Sequence, residues 1–464
     1  MNDPTGPGNP LQGLLGDLLK MIGGAQTGAQ SGARPWLDAA RALAHNVATD
    51  GEPEPNADPL QRIAMEELSR VAELHVAEAT GLPVTGDQAL AFTPVGRGAW
   101  ALRTLDTWTP VLDTAVAAQQ AAAATEEPGA GSGDPEGSGD PEGPGGPGGP
   151  GGPSGLEGLG GLEGLGDLGK LGGLEGLGGL GGSGGLGGSG GLGGLGGSGG
   201  LEHLLAQLAT TMGPVLLGMQ FGSAAGHLAQ RALGQYALPL PWPPSAELLV
   251  VPDNIARFAD DWSLPLDETR LWVCVHELTA HAVLSRPHVA DRIRALLEEA
   301  AVGAVTAQQG LTERLGDEGG DLDSLQNLLS DPEALLADLL TPGQQRTSEQ
   351  LIAVTAAVGG YVDHVTARVA GALVGNAATL TEAWYRHRIA DAAGEQAAGA
   401  LFGLDLGRQQ VDRGAAFVAG VVERAGEDGL ARLWSSARHL PTPAEVDAPG
   451  LWLERIDLPD PDEA

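Results

Sequence analysis

Apolar residues recur every three or four positions along most of this chain, the spacing that places them on one face of an α-helix. Proline and capping residues punctuate the pattern, as where Asp58 and Pro59 open a new apolar period. The pattern therefore predicts a mainly α fold. The predicted helices cover residues 36–44, 59–79, 97–124, 201–236, 271–284, 289–305 and 348–378, with further helices up to residue 434.

One short run has the apolar, β-branched character of a strand, at residues 247–252 (ELLVVP). It is the one strand that the pattern predicts. Asp253 and Asn254 follow it directly, and we expect them to cap the next helix.

The helical pattern breaks between residues 126 and 200, where 38 of the chain's 75 glycines lie. Glycine at this density cannot offset the entropy that is lost when the backbone becomes ordered. We therefore predict a long disordered Gly-rich linker inserted into one helical domain, whose two parts are residues 36–125 and 201–456. In the same prediction residues 1–35 form a disordered N-terminal segment and residues 457–464 an acidic tail.

Charge and cysteine content limit the partners and the chemistry. The chain carries 25 Lys and Arg against 60 Asp and Glu, a formal net charge of −35, which repels nucleic acid and anionic lipid surfaces. The single cysteine, Cys274, excludes an intramolecular disulfide and a Cys-based zinc cluster. The sequence lacks a secretory signal and an apolar run of membrane-spanning length. We expect a cytoplasmic protein that binds neither nucleic acid nor membrane.

The candidate chemistry lies in residues 272–281 (WVCVHELTAH), which hold His276, Glu277 and His281. In the H-E-x-x-H arrangement of zinc peptidases the two histidines are four residues apart, so both reach one zinc ion while the glutamate activates zinc-bound water. Here Ala280 occupies the fourth position, and His281 lies about 140° around a regular helix from His276. The two histidines share a metal ion only if the helix contains a π-bulge; otherwise His281 faces solvent or another helix.

Several segments together resemble one family of proteins. The resemblance spans about residues 36–125 and 201–456, and the family is the zincin-like family of actinobacterial and chloroflexal proteins labelled hydrolases or zinc-dependent metalloproteases, a domain without an assigned function. It implies a zincin-like helical fold, zinc as cofactor and a peptide or protein substrate. The segments that carry it include residues 217–222 (LGMQFG), 232–236 (ALGQY), 251–255 (VPDNI), 271–277 (LWVCVHE), 360–365 (GYVDHV) and 412–418 (DRGAAFV).

The resemblance also implies roles for particular residues. His276 matches the first histidine ligand of the family and Glu277 its catalytic glutamate. Ala280 stands where the second histidine belongs, and Gly359 stands where a glutamate ligand on a later helix belongs. Two of the three expected protein ligands are therefore replaced in this chain.

Other donors lie near the replaced positions in the sequence. A metal site would have to combine His276 with His281 and with Asp363 or His364, which follow Gly359 by one helical turn. Asp363 and His364 could instead belong to the scaffold around the site. The sequence alone leaves both alternatives open.

A second candidate is the run at residues 384–388 (WYRHR), which is locally basic in an acidic protein. Such a run forms either an anion or partner site or a solvated helix face.

Two functions are open at this point. The first is a zinc-dependent metalloprotease with an altered site, in which Glu277 takes a proton from zinc-bound water as the water attacks a peptide carbonyl. The second is a non-catalytic zincin-like protein that binds a protein or peptide partner in the same groove. Because two ligands are replaced, the sequence predicts weak or absent peptidase activity.

Overall fold

The computed structural model describes residues 34–54, 58–84, 90–125, 198–317, 341–390 and 393–459. The predicted N-terminal segment, Gly-rich linker and acidic tail lie wholly or mostly outside these residues. Within the described residues helices predominate and two short strands accompany them, which confirms the predicted mainly α fold.

Many helices begin with proline at their first position, where the missing N–H costs no hydrogen bond. Asp58 caps one of them as predicted, because its side chain accepts the backbone N–H of Leu60 at 2.9 Å. The helices are α1 (Pro35–Thr49), α2 (Pro59–Thr80), α3 (Arg97–Thr125), α4 (Ser198–Ala229), α5 (Pro252–Asp261), α6 (Leu266–Leu284), α7 (Pro287–Asp317), α8 (Pro342–Leu373), α9 (Ala377–Ile389), α10 (Ala393–Phe402), α11 (Arg408–Ala431), α12 (Pro443–Asp447) and α13 (Pro449–Asp457), with 3-10 turns at Arg432–Trp434 and Ala437–His439.

Two short strands form a parallel pair beside the helices. Strand β1 (Ala91–Pro94) runs along strand β2 (Glu247–Val250), and Phe92 is aligned with Leu248. Strand β2 confirms the predicted strand. The sequence pattern does not predict β1, because four residues that end in proline are too few to show an alternating period.

The chain after α4 differs from the prediction. The helix predicted over residues 201–236 ends at Ala229, and Gly234 then forms an antiparallel bridge to Val250. The predicted cap is wrong: α5 begins at Pro252 after Val251 without a side-chain cap, and its first turn contains Asp253 and Asn254. The amide group of Asn254 donates instead to the carbonyl oxygens of Ala229 and Ala232, at 2.9 and 2.7 Å, and so fixes the chain where it leaves α4.

Helix α6 lies at the centre of the fold and packs against α2, α5 and α8. Every residue from Trp272 to Leu284 is buried except His281. This confirms the helix predicted over residues 271–284 and shows that it is buried. The later helix that packs against it, α8, ends at Leu373 and not at residue 378, because Val374 adopts an extended conformation.

Helices α1 and α4 come from opposite sides of the Gly-rich tract and pack closely together. The contact uses glycines at every fourth position of α4 (Gly218, Gly222 and Gly226), and a Cβ atom at Gly222 would come within 2.3 Å of the carbonyl oxygen of Ala40. The described helices on both sides of the tract thus form one compact unit. No described helix combines the length and the hydropathy that a bilayer span requires.

Candidate functional site

His276 of α6 is 6% exposed and lies between aromatic rings. Its imidazole stacks on the indole of Trp272 with 5.5 Å between ring centroids, and the edge of Trp384 from α9 approaches it at 4.8 Å. Its Nδ1 atom lies 3.2 Å from Oε1 of Glu277. If the Glu277 carboxylate is the acceptor, Nδ1 carries the proton and Nε2 is left as an acceptor.

Glu277 is 2% exposed and fixes the loop after α4. Its Oε2 atom accepts the backbone N–H of Tyr236 at 2.9 Å. A Cβ atom at Gly234 would come within 2.4 Å of the Glu277 carboxyl carbon, so this position requires glycine. Burial, and next the charge of Glu277, raise the pKa of the Tyr236 phenol and of the Cys274 thiol, so both groups stay protonated.

The protonated phenol of Tyr236 lies 2.9 Å from Nδ1 of His281. Burial lowers the pKa of His281 to about 4, so its imidazole is neutral near pH 7, and in the tautomer with its proton on Nε2 it accepts this hydrogen bond. Helix α6 is α-helical from Leu266 to Leu284, without the π-bulge that would turn His281 toward His276. The structure therefore joins His281 to Tyr236.

A small cavity, open to solvent, lies beside His276. Its wall includes His276 and Ala280, one turn apart on α6, together with Gly359 of α8. The three positions to which the resemblance gives metal ligands thus meet at one cavity. Glu277 is absent from the described lining. The other lining residues are Tyr236, Ala237, Pro239, Leu284, Val358, Val362, Trp384 and Arg388.

Arg388 brings a positive charge to this cavity. A Cβ atom at Gly359 would lie 3.1 Å from Nη2 of Arg388. The Nη1 atom of Arg388 donates to Oδ2 of Asp363, and Oδ1 of Asp363 accepts the indole N–H of Trp384 at 3.2 Å. Asp363 therefore holds both Arg388 and Trp384, and its neighbour in the chain, Val362, is the residue on the cavity wall.

His364 lies outside the described lining of the cavity. Its Nε2 atom is 2.9 Å from Oε1 of Glu427 on α11, and Glu427 also forms an ion pair with Arg368. The structure thus engages His281, Asp363 and His364 with three different partners. In the described residues no three His, Cys, Asp or Glu side chains are placed to hold a metal ion.

A second cavity adjoins the first and shares Trp384 and Arg388 with it. Its wall also includes Arg231, His387 and Glu395. The Nη1 atom of Arg231 lies 3.5 Å from Oε1 of Glu395. Burial raises the pKa of the Glu395 carboxyl. Burial, and next the charge of Arg231, lower the pKa of His387 to about 4.

Part of this site is visible in the sequence. The run at residues 384–388 contributes both to a site and to a solvated helix face. Trp384 and Arg388 line the cavities, whereas Arg386 is exposed to solvent. Gly234 and Tyr236 are not predicted as residues of the site, because they do not have the sequence spacing of metal ligands. The signal for them is the segment at residues 232–236, which resembles the family.

The sequence matches the family model described as "Zincin-like metallopeptidase" over residues 36–162 and 192–453, so the chain belongs to this family, whose usual cofactor is zinc. A similar fold is seen in the crystal structure of "a putative hydrolase with a novel fold" from Chloroflexus aurantiacus, with a TM-score of 0.54. The two chains are 19% identical, and the match covers 91% of this chain and 99% of the other. At this identity the likeness shows the fold alone. No curated protein sequence matches this chain.

The residues of the cavity do not fit a catalytic zinc ion. Such an ion takes three protein ligands, with water in a fourth position. The described wall offers one imidazole, that of His276, while Ala280 and Gly359 supply no donor. The guanidinium of Arg388 beside Gly359 adds a charge that repels a divalent cation.

Proposed function

We propose that this chain binds a peptide or protein partner in the cavity beside His276 and does not hydrolyse it with zinc. One observation carries the proposal. Ala280 and Gly359 line the same cavity as His276, at the positions that the resemblance gives to two further metal ligands. Without a Lewis acid there, the site lacks the group that polarises a peptide carbonyl in this class of enzyme.

The contacts of Glu277 support a binding role. A general base must come within hydrogen-bond reach of the proton that it removes. Here Oε1 of Glu277 meets His276, Oε2 accepts the N–H of Tyr236, and the side chain is buried behind the cavity wall. Glu277 therefore holds the imidazole and the loop in position and does not face a substrate.

The shape and lining of the cavities also support a binding role. Ligand sites are concave, mostly apolar and furnished with a few polar groups. The wall of the first cavity is formed largely by apolar side chains such as Leu284 and Val362, and its polar groups are those of His276, Arg388 and Tyr236. The adjoining cavity extends this surface past Trp384.

Peptide hydrolysis is a second candidate, and one observation favours it. His276 and Glu277 are retained side by side, and a carboxylate on Nδ1 of a histidine is the arrangement that orients the ring when Nε2 binds a metal. On this hypothesis the remaining ligands would be His281 with Asp363 or His364.

The two candidates differ in what the protein does to a bound peptide. We expect the full chain, supplied with zinc, to retain peptides from a synthetic random mixture and to release no cleavage products beyond those of His276→Ala. Ala280→Phe, which fills the cavity, should abolish retention without loss of the folding transition. Zinc-dependent cleavage that His276→Ala removes would establish the second candidate. Absence of both retention and cleavage would contradict the proposal.

A further inference from the structure

The guanidinium of Arg388 is held along one edge only. Asp363 accepts from Nη1, while Nη2 lies beside Gly359 and has no hydrogen-bond partner within the described part of the chain. A guanidinium has five N–H donors in a planar fork and can engage a second carboxylate while it keeps the first. The end of Arg388 occupies the space that a side chain at Gly359 would take, and both residues line the cavity.

The setting strengthens a charge-assisted hydrogen bond at this place. The Arg388 side chain is 24% exposed, so it is partly shielded from water and from the acidic remainder of the chain. The chain has a formal net charge of −35, and anions are repelled from most of its surface. The cavity that holds this guanidinium is therefore a place where an anion can bind.

Apolar walls lie next to this donor. Leu284, Val358 and Val362 line the same cavity as Arg388. An isolated inorganic anion has no apolar group to place against these walls, and an acidic side chain has only its one or two methylene groups. The last residue of a peptide has a carboxylate and a side chain on one carbon atom, and so it satisfies the donor and the walls together.

We propose that the cavity recognises the C-terminal carboxylate of a peptide, with Nη2 of Arg388 as the donor and the terminal side chain against the walls formed by Leu284, Val358 and Val362. This inference rests on the proposed function, because it names the part of the partner that binds. The preceding peptide unit then extends into the adjoining cavity.

The first test compares two small probes that differ in one group. N-acetyl-L-leucine has the carboxylate and the apolar side chain, and N-acetyl-L-leucinamide replaces the carboxylate with a neutral amide. Calorimetric titration of the full chain should give binding of the acid and affinity for the amide that is lower by roughly 10- to 100-fold, the range for a hydrogen bond to a charged group. Equal affinity for the two probes would overturn the inference.

Two variants and a matched control locate the binding. Arg388→Gln should lower the affinity for N-acetyl-L-leucine by a similar factor. Arg386→Gln removes the same charge from an exposed position of the same helix and should leave that affinity unchanged within about twofold. Gly359→Ala keeps the protein folded and places a methyl group about 3.1 Å from Nη2, so it should also lower the affinity for N-acetyl-L-leucine. If neither variant changes the affinity, the carboxylate binds elsewhere and the inference fails.

A peptide arm separates this inference from the proposed function. The immobilised full chain is offered one random hexapeptide mixture with free C-termini and the same mixture with amidated C-termini. Selective retention of the free acids supports both proposals. Equal retention of both forms, including amidated peptides with internal Asp or Glu, would leave the proposed function in place and overturn the carboxylate inference. Binding of N-acetyl-L-leucine without retention of any peptide would support the carboxylate site and contradict the peptide function.

Discussion

The carboxylate of Glu277 on the central helix accepts the backbone N–H of Tyr236 at 2.9 Å. Both residues are buried, and the bond ties α6 to the loop that follows α4. A buried N–H without an acceptor costs the fold its desolvation energy, so this carboxylate contributes to stability. The residue that the resemblance assigns to catalysis is thus a structural link in this chain.

Two replacements of Glu277 should therefore differ in their effect on stability, according to whether the new side chain keeps a hydrogen-bond acceptor. Glu277→Ala leaves the Tyr236 N–H unpaired and opens a small void, and we expect the free energy of unfolding to fall by about 3 kcal/mol. Glu277→Gln keeps an acceptor for that N–H and should cost less than about 1 kcal/mol. Denaturant unfolding measures both.

Glu268 of the same helix is the control for this pair. Its carboxylate accepts the Asn376 N–H at 3.0 Å in an exposed setting, where water can replace the bond. Glu268→Ala should cost less than about 1 kcal/mol. If Glu277→Ala is as stable as Glu268→Ala, the hydrogen bond to Tyr236 does not contribute to the free energy of unfolding.

Two adjacent glycines of α8 should respond in opposite directions to the same change. A Cβ atom at Gly360 would come within 2.3 Å of the backbone of Gly414 on α11, so Gly360→Ala should destabilise the protein by about 2 kcal/mol or more. At Gly359 the neighbour is the flexible end of Arg388, and the gain in helix propensity makes Gly359→Ala neutral or stabilising by up to about 1 kcal/mol. Thermal unfolding of the pair tests this difference. Similar losses in both variants would contradict the assigned packing.

His387 should make stability depend on pH. In the unfolded chain the imidazole takes up a proton as the pH falls through about 6.5, whereas in the fold, where burial and next the charge of Arg231 lower its pKa to about 4, it stays neutral. The unfolded state therefore binds more protons between these values, and the free energy of unfolding falls as the pH is lowered. One such group contributes a slope of about 1.4 kcal/mol per pH unit.

His387→Phe removes this contribution and keeps an aromatic ring in contact with Phe258 and Trp384. We expect its stability profile between pH 6 and 4.5 to be flatter than that of the unchanged protein by about that slope. Denaturant unfolding at several pH values gives the comparison. An unaltered slope would mean that His387 is protonated in the fold.

The sequence predicts the helices well where the helical spacing of apolar residues extends over many residues, as in α6 and α8. In such a segment the apolar residues that face the core also mark the helix in the sequence. It fails for residues 230–236, where helix-like spacing of apolar residues coincides with irregular backbone. The bridge from Gly234 to Val250 and the buried contact with Glu277 determine that backbone, and both join residues far apart in the chain.

The same distinction applies to the site. The spacing of His276 and Ala280 on one helix face is a local property, and the structure places both on one cavity wall. The approach of Arg388 to Gly359 depends on how α9 packs beside α8, which no periodicity encodes. Sequence reasoning could mark the basic run at residues 384–388 but not which of its arginines lies in the cavity.

The position of Arg388 predicts how a zinc site could be rebuilt. In Ala280→His with Gly359→Glu, the Cβ atom of the new glutamate would lie about 3.1 Å from Nη2 of Arg388, and its carboxylate would pair with that guanidinium. Adding Arg388→Met removes that competitor. We expect the triple variant to bind zinc at least about tenfold more tightly than the double variant. The control adds His276→Ala to the triple variant and should lose the zinc; equal zinc affinity in the double and triple variants would contradict the pairing with Arg388.

The zinc content of the unchanged protein tests the central claim most directly. The full chain is equilibrated with zinc at micromolar free concentration, freed of loosely held metal on a desalting column, and analysed for metal per chain beside His276→Ala. We expect the same low zinc content in both proteins, well below one ion per chain, because the cavity offers a single imidazole and a guanidinium. One tightly held zinc ion per chain that disappears in His276→Ala would contradict the account.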